Sequence, residues 1–578
     1  MQAPLLLVPL LSMAGAPEPA VSAMQSPGAH HGTRPFAPLV EPRTIDGTGN
    51  HAEDPSRGST FIPFRRLGSL DYADGTDAPA GAKRPSARFI SNGVFAQQGS
   101  IPAPSGISDL FWQWGQFLDH DVTETPIADP AESFPIAVPS GDVWFDPFGA
   151  GGAEIPLSRS FPLYVAGVRE QINAITAWLD GSQVYGSDAE RAEALRTHDG
   201  TGRLKMSRGD LLPFNVEGLH NAPSDSDTSL FLAGDIRANE QVGLTVMHTL
   251  FMREHNYWAE RIAEEDREWR LGQLQGGGHG GGGNGGGNGR SLSQDGFRRG
   301  GAPPLSGDQI YELARAMVSA EIQIITYREW LPILMGPGAL GLDSSYRPEL
   351  NGSISNEFAA AAFRIGHTML SSDLERLDRR GRVIPEGHLS LAEAFFAPGE
   401  VIATGIDPVL RGLTSQPAEA LDMMLIDEVR NLLFGPPGSG GLDLGALNVQ
   451  RGRDHGLPSY CQFRRDLGLG APNAFAEMSS SVEIRENLAR ISRTPEGLDL
   501  WVGALAEDAR PGALVGETLH AILYEQFVAL RDGDRLWYSR QLTPELVELA
   551  EGQSMSLILR RNSGLRGSFI ASPFLADV

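Results

Sequence analysis

One long helical segment constrains the fold more than any other part of this chain. The residues EQVGLTVMHTLFMREHNYWAERIAEEDREW, from Glu240 to Trp269, repeat apolar side chains at intervals of three and four. That spacing is the period of an α-helix with one buried face. The same period recurs in DQIYELARAMVSAEIQIITYREWL, ISNEFAAAAFRIGHTML and PAEALDMMLIDEVRNLLF, whereas alternating strand patterns are scarce. The sequence therefore predicts a mainly α fold with long loops rich in proline and glycine.

The chain is large and acidic, and both properties narrow its function. Its 578 residues can bury a large core, and its formal net charge is -25 at pH 7. An excess of carboxylates opposes the binding of phosphates, so we expect neither nucleic acid nor an anionic membrane as a partner. The single cysteine, Cys461, excludes an internal disulfide and cysteine-ligated clusters. Redox chemistry would have to come from a cofactor.

The N-terminal region differs from the rest of the chain. Residues 17–59 are rich in Pro, Gly, Ala and His without apolar periodicity, which predicts a flexible leader over 1–60. Residues 1–16 resemble a secretory signal, although no Lys or Arg precedes Arg34. We therefore expect a secreted or extracytoplasmic protein, with 1–16 as a possible signal peptide. No stretch approaches the roughly 20 apolar residues of a membrane-spanning helix.

A glycine-rich run interrupts the helical pattern. The sequence GGGHGGGGNGGGNG occupies Gly276 to Gly289, a composition that cannot pack a core. We interpret it as a flexible surface insert at about 275–290 within one domain of 61–578, and not as a domain boundary.

Gln116 to Asp121 form the cluster with the most chemistry. On a helix Gln116 and His120 share a face, while Asp119 and Asp121 point to either side of it. On spacing alone, a solvated helix end explains such a run. The flanking sequence LFWQWGQFL is largely apolar, however, and a buried Asp-His-Asp needs partners, a metal or a covalent bond.

Two further clusters each allow a purely structural interpretation and a functional one. Arg237 and Glu240 stand three residues apart, so they could face one site or form a surface ion pair. His367 lies on an apolar face, where a histidine is either a core residue or a ligand. Asn448 could accept the other ring proton of that histidine, as outer partners of metal-bound histidines do.

The loop from Thr176 to Ser182 carries oxygen donors. If it is extended, alternate residues face one way and supply two hydroxyls, a carbonyl and a carboxylate. Such hard ligands suit calcium. Thr and Ser in loops also simply cap turns, which leaves both interpretations open.

Several motifs in a fixed order connect these clusters. From about Phe61 to the C-terminus the chain reads WGQFLDHD, REQINAITAWLDGSQVYGS, FLAGDIRANE, MREHN, ITYREWLP, FRIGHT, GIDPVLRGL, ALNVQRGRDHGLPSY and RDGDRLWY. This series resembles the animal-type haem peroxidases, in the branch of myeloperoxidase, lactoperoxidase and peroxidasin. The resemblance implies a helical core around a buried haem, with long loops and little β-structure.

The resemblance also implies roles for the haem-site residues. His120 would be the distal histidine, Arg237 its cationic partner and His367 the proximal iron ligand. Asn448 would bond to His367. The remaining haem contacts that it implies are ester bonds from Asp119 and Glu240, salt bridges from Arg364 and Arg451 to the propionates, and a hydrogen bond from Gln116 to a small anion or distal water.

Calcium is the second cofactor that the resemblance implies. One ion would be held by Asp121, Thr176, the Trp178 carbonyl, Asp180 and Ser182. It would fix the distal helix relative to the loop.

The implied activity is that of a peroxidase. Hydrogen peroxide would be reduced at the haem, giving a ferryl intermediate that oxidises a halide, thiocyanate or a small organic donor. His120 would act as general base and then acid, and Arg237 would stabilise the developing charge. Gln241 follows Glu240 where myeloperoxidase has a sulfur-bonded methionine, so we expect two ester links and no sulfonium. Missing disulfides suggest a bacterial-type relative. The particular reductant and the oligomeric state stay open.

Two other functions compete with this one. A fatty-acid oxygenase of the cyclooxygenase or α-dioxygenase type resembles the same fold, but cyclooxygenases place a tyrosine three residues before the proximal histidine, where this chain has Arg364. An inert peroxidase-fold adhesion module would be expected to lose site residues. None of them is lost here.

Overall fold

The computed structural model describes residues 34–276, 302–342 and 345–576. The possible signal peptide at 1–16 and most of the glycine-rich insert at 275–290 lie outside the described residues. The chain divides into a smaller unit, Met1–Ala37 with Glu264–Pro304, and a larger unit, Pro38–Ala263 with Leu305–Val578. In the smaller unit Arg34 Nε donates to Asp266 Oδ1 at 2.7 Å. The candidate site lies wholly in the larger unit.

Helices dominate the described residues, and the mainly α prediction is confirmed. The α-helices are α1 (Ala87–Val94), α2 (Asp109–Val122), α3 (Ser182–Tyr185), α4 (Ala189–Leu195), α5 (Val242–Gly276), α6 (Gly307–Ile325), α7 (Leu331–Met335), α8 (Asn356–Ala360), α9 (Leu391–Ala394), α10 (Pro398–Thr404), α11 (Asp407–Ser415), α12 (Asp427–Arg430), α13 (Leu444–Asp454), α14 (Tyr460–Asp466), α15 (Val482–Ile491), α16 (Leu500–Leu505), α17 (Glu517–Asp532), α18 (Tyr538–Gln541), α19 (Pro544–Glu551) and α20 (Met555–Asn562). A π-helical turn, Thr326–Trp330, joins α6 to α7.

The strands are short and antiparallel. They are β1 (Ile62–Pro63), β2 (Ile136–Ala137), β3 (Glu154–Ile155), β4 (Pro162–Val165), β5 (Val168–Asn173), β6 (Asp373–Leu374) and β7 (Leu389–Ser390). One sheet has the order β1-β5-β4, with Ile62 opposite Asn173, and the pairs β2-β3 and β6-β7 stand apart. Within the described ranges, no helix is long and apolar enough to span a membrane.

One of the four predicted helices is wrong over most of its length. In PAEALDMMLIDEVRNLLF only the four residues of α12 are helical. The preceding backbone instead bridges three other segments, at Ser108 with Pro417, Pro102 with Glu419 and Ala96 with Leu425. Apolar residues in that stretch are therefore buried on extended backbone that pairs with other segments. An apolar spacing of three and four residues is compatible with such a conformation as well as with a helix.

Part of the expected leader packs onto the domain. The Asn50 side chain is buried, donates from Nδ2 to Asp534 Oδ1 at 2.8 Å and accepts from the Arg535 backbone N–H at 2.8 Å. These bonds satisfy its amide away from water. The packed chain thus begins before Phe61, because polar side chains without apolar periodicity anchor this segment.

Helix α2 positions the central cluster because its apolar side chains are buried along the whole element. Trp114 and Phe117 are fully buried, and both rings contact Phe251 of α5, with centroids 5.6 and 4.9 Å apart. Aromatic packing of this kind fixes the rotation of α2 about its axis. The opposite face, which carries Gln116 and His120, is thereby directed toward a cavity.

Candidate functional site

A cavity of about 440 Å³ brings together the clusters that lie far apart in the sequence. This size suits a small molecule or cofactor. Its wall includes eight of the residues singled out from the sequence: Gln116, Asp119, His120, Arg237, Glu240, Arg364, His367 and Arg451. Asn448 stands behind His367.

His120 is buried on one side of the cavity and lacks a close partner. Its Nδ1 lies 3.4 Å from Asp235 Oδ1 without forming a hydrogen bond, and its Nε2 lies 3.8 Å from Glu240 Oε2. Burial, followed by the charge of Arg237, holds the pKa of His120 well below its ordinary value. The imidazole is therefore neutral at pH 7. With its proton on Nδ1, toward the Asp235 carboxylate, Nε2 is free to accept another.

Arg237 is locked in place by a carboxylate that the sequence reasoning missed. Its Nε and Nη2 donate to the two oxygens of Asp235 at 2.9 and 2.7 Å, and Nη2 also donates to the Thr123 carbonyl at 2.8 Å. Burial lowers the pKa of Arg237, but Asp235 raises it overall, so the cation persists. The acid two residues before the arginine, in GDIRANE, was the available signal.

Two carboxyl groups flank this pair. Thr123 Oγ1 donates to Asp119 Oδ1 at 2.8 Å, and Arg237 Nη1 lies 3.7 Å from Asp119 Oδ2. Burial raises the pKa of Asp119, and it raises that of Glu240 to about 7 although Arg237 opposes it. Both groups are thus disfavoured as anions. A neutral ester at either position would remove this cost.

The protein without a bound cofactor should lose stability as Glu240 ionises. Its pKa is raised in the folded state from 4.5 to about 7, so the protonated carboxyl favours folding below pH 4.5 and that contribution disappears as the pH rises through about 7. We expect Glu240→Gln to flatten the free energy of unfolding between about pH 5 and pH 8, measured by urea titration. Exposed Glu483→Gln is the control. A pH dependence unchanged in Glu240→Gln would contradict the assignment.

A second part of the cavity wall is formed by a 3₁₀ segment, Ala362–Thr368, and by α13. His367 Nδ1 lies 2.7 Å from Asn448 Nδ2, and Arg364 Nη1 donates to Asn448 Oδ1 at 2.8 Å. Burial, followed by the charge of Arg364, lowers the pKa of His367 to about 3. The imidazole is therefore neutral and can serve as a metal ligand.

The contact between Asn448 and His367 runs opposite to the expected direction. We expected the amide to accept the ring proton, whereas Arg364 occupies Oδ1, so that Nδ2 faces the ring and donates to it. A metal bound at Nε2 would leave the ring proton on Nδ1. The Asn448 amide would then have to turn its oxygen toward the ring and give up the bond from Arg364.

Arg451 also reaches the cavity. Its Nη1 donates to the Ser158 carbonyl at 3.0 Å and lies 3.0 Å from Asp454 Oδ2. Burial lowers the pKa of Arg451. Both arginines on this side thus face the space where an anionic edge of a ligand would be stabilised.

The oxygen-rich loop meets α2 directly behind His120. The Ser182 backbone N–H donates to Asp121 Oδ1 at 2.6 Å, and its Oγ lies 3.0 Å from the same oxygen. Thr176 Oγ1 donates to Asp180 Oδ1 at 3.1 Å, while Asp180 Oδ2 is buried without a hydrogen bond. Burial, followed by the charge of Asp180, raises the pKa of Asp121 well above its ordinary value. A cation between the two acids would offset both penalties.

The loop is bent where an extended chain was expected. Gly181 takes a φ of 80°, α3 begins at Ser182, and the Trp178 carbonyl accepts from the Asp180 N–H at 2.9 Å. Turns, and not alternation, bring the donors together, so the derivation from an extended loop is wrong. Among the described residues no group of three or more His, Cys, Asp and Glu could hold a metal, and the expected calcium set has only two carboxylates.

Comparisons with known proteins agree with this geometry. The sequence pattern of the animal haem peroxidases matches residues 42–572. Peroxidasin of Drosophila melanogaster is 34% identical over 550 residues, which cover 86% of this chain and 33% of that protein. Peroxinectin A of Dictyostelium discoideum is 34% identical over 529 residues, which cover 87% of this chain and 89% of that protein. The chain thus spans about a third of the peroxidasin and most of the peroxinectin.

Solved structures give the same result for the fold. Peroxidase A of Dictyostelium discoideum has a TM-score of 0.80 and 30% identity, covering 93% of this chain and 100% of that one. A fatty acid alpha-dioxygenase of Oryza sativa has a TM-score of 0.73 and 22% identity, covering 93% of this chain and 88% of that one. The second likeness concerns the fold alone.

Proposed function

The chain belongs to the animal haem peroxidase family, and on this premise we propose that it reduces hydrogen peroxide and oxidises a halide, thiocyanate or a small organic donor. One observation carries the proposal. His120 and His367, both neutral, line the same cavity, and the permanently charged Arg237 lies beside the first of them.

The residues of the cavity fit a haem. His367 would ligate the iron, Asp119 and Glu240 would form the ester bonds, and Arg364 and Arg451 would pair with the propionates. When bound, the haem supplies an iron centre that accepts two oxidising equivalents from peroxide. Two part-buried carboxyl groups that are disfavoured as anions, and two arginines that line the cavity, support this fit.

The side chains of the His120 face would perform the proton chemistry. Nε2 of His120 takes the proton from the inner oxygen of peroxide and returns it to the outer oxygen, which leaves as water. Arg237 stabilises the negative charge that develops on the leaving oxygen. Asp235 holds the guanidinium and lies 3.4 Å from Nδ1 of His120, so one carboxylate is next to both groups.

Turnover by the haem-loaded protein tests the proposal. Peroxide should be consumed only with a reducing donor, and bromide, iodide, thiocyanate and a phenol should be compared as donors. Absence of donor oxidation in protein with full haem content would sink the proposal and favour an inert module. Oxygen uptake with a fatty acid, without donor oxidation, would favour the oxygenase alternative.

We expect the haem to be held covalently through Asp119 and Glu240. Acidified organic solvent should leave haem on the wild-type protein, extract part of it from Asp119→Ala or Glu240→Ala, and extract all of it from the double variant. Glu124→Ala, which changes another carboxyl group of the cavity wall, should behave as wild type. Complete extraction from wild type would contradict the esters.

Calcium removal is expected to lower both stability and activity. Without the ion, burial and the neighbouring Asp180 disfavour the charged form of Asp121, and the hydrogen bonds of Asp121 to Ser182 are left to connect α2 to the loop at this point. Chelation should therefore lower Tm by at least a few degrees and weaken peroxide turnover. Calcium should restore both and magnesium should not, because magnesium demands a tighter octahedral site. Unchanged Tm and turnover in verified calcium-free protein would refute the role.

We also propose that the protein acts outside the cytoplasm, because the apolar segment at 1–16 resembles a secretory signal. Fusion of residues 1–60 to a reporter enzyme would test whether this segment directs export.

A further inference from the structure

Three glutamines form a chain of hydrogen bonds that ends at the cavity. It begins at the backbone N–H of Gly243, which donates to Gln241 Oε1 at 2.6 Å. A backbone N–H can only donate, so this contact identifies the oxygen end of the Gln241 amide. The NH₂ group of Gln241 must then point the other way, toward α2.

The orientation passes from Gln241 to Gln116. Gln241 Nε2 donates to Gln113 Oε1 at 2.5 Å and to Gln116 Oε1 at 2.9 Å, and Gln113 Nε2 donates to Gln116 Oε1 at 3.1 Å. The carbonyl oxygen of Gln116 is therefore occupied by two donors. Its NH₂ group is left on the cavity side, 3.5 Å from Glu240 Oε2.

Reversal of the Gln116 amide would be costly. Its Nε2 would then face the NH₂ groups of Gln113 and Gln241, which replaces two hydrogen bonds by two contacts between donors. Both partners are buried, so water cannot relieve those contacts. Gln113 and Gln241 thus fix Gln116 with its N–H groups toward the cavity. The backbone N–H of Gly243 in turn fixes Gln241.

Gly243 makes the arrangement possible. A Cβ at this position would lie 2.5 Å from Gln113 Oε1 and 3.0 Å from Gln241 Oε1. Such contacts would push both amides away from their partners. The glutamine chain therefore accounts for a glycine at this second position of α5.

We propose that Gln241 is a positioning residue that fixes Gln116 as a hydrogen-bond donor and so makes the cavity favour small anions over neutral ligands. The inference rests on the proposed haem peroxidase function, because it concerns the same cavity. Arg237 adds a fixed positive charge to this wall. Together the cation and the oriented amide form a site for an anion and offer nothing comparable to an uncharged ligand.

The test measures binding by the resting, haem-loaded protein. Thiocyanate is titrated against the ferric protein and followed by its haem absorbance, and carbon monoxide is titrated against the reduced protein as the neutral probe. Two variants disrupt the chain independently, Gln241→Leu by removing the donor and Gly243→Ala by crowding. Gly272→Ala, on the same helix with open space around it, is the matched control.

Both disrupting variants should bind thiocyanate about tenfold more weakly, the cost of one hydrogen bond to a charged group. Their affinity for carbon monoxide, and all properties of Gly272→Ala, should match wild type. Equal thiocyanate affinity in Gln241→Leu and wild type would overturn the inference, as would parallel losses for both probes. Wild-type protein that binds haem and thiocyanate but never oxidises a donor would instead refute the proposed function alone.

Discussion

His120→Ala is expected to lower kcat/KM for hydrogen peroxide by about 10³- to 10⁴-fold while haem stays bound, because it removes the group that we propose transfers the proton. Nε2 of this imidazole faces the cavity, and Nδ1 faces the carboxylate of Asp235 at 3.4 Å. Arg237 would still stabilise charge in the variant, which leaves a residual rate. Stopped-flow absorbance of the haem after mixing with peroxide measures the effect directly.

Another cavity group could in principle take over the proton. Glu240 Oε2 lies 3.8 Å from Nε2 of His120. An ester at Glu240 has no proton to exchange, so the full loss is expected only when that link is formed. The double change His120→Ala with Glu240→Gln should therefore be no slower than His120→Ala alone.

His248→Gln is the matched control, since it changes a second buried imidazole whose ring centroid lies 6.4 Å from that of His120. His248 bonds through Nδ1 to the Gln183 carbonyl at 3.0 Å and does not line the cavity. Its peroxide reaction should stay within about tenfold of wild type. General acid-base catalysis contributes at least about 100-fold. If His120→Ala also stayed within about tenfold of the wild-type rate, the proposed proton-transfer role would be wrong.

Local spacing was enough to predict the parts of the site that lie on one element. Gln116 and His120 share a face because four residues make about one helical turn, and α2 places both on the cavity. The same reasoning failed for the segment that contains Glu419, where backbone bridges to distant residues override the helical period. Spacing describes an isolated helix, but pairing partners decide whether one forms.

Contacts between distant segments were not available from spacing. Asp121 meets Ser182 across 61 residues, and Gln241 meets Gln113 across 128. The family resemblance, which rests on the order of the motifs, predicted that Asp121 and Ser182 lie together. The second pair lies outside the quoted motifs. Its role depends on which way the Gln241 amide points, and only the three-dimensional contacts show that.

The largest effect on haem binding is expected from His367→Gly. This change removes the only histidine on that side of the described cavity wall and leaves space for a free imidazole. The affinity of the haem-free protein for added haem, titrated before any ester bond forms, and the peroxide turnover should each fall at least about 100-fold, since even the loss of an outer partner of a metal ligand costs about 10- to 100-fold. Added imidazole should restore part of both, measured by haem titration and donor oxidation.

Rescue by imidazole would separate ligation from folding. A misfolded variant cannot be rescued by a small ligand, and imidazole added to wild type should give no gain because His367 already fills the position. The bond from Arg364 to Asn448 sharpens the test further. Free imidazole can rotate until its N–H meets the turned amide, whereas in Asn448→Leu, which offers no acceptor, rescue should be weaker. Full rescue in the Asn448→Leu background would show that this amide does not orient the ligand.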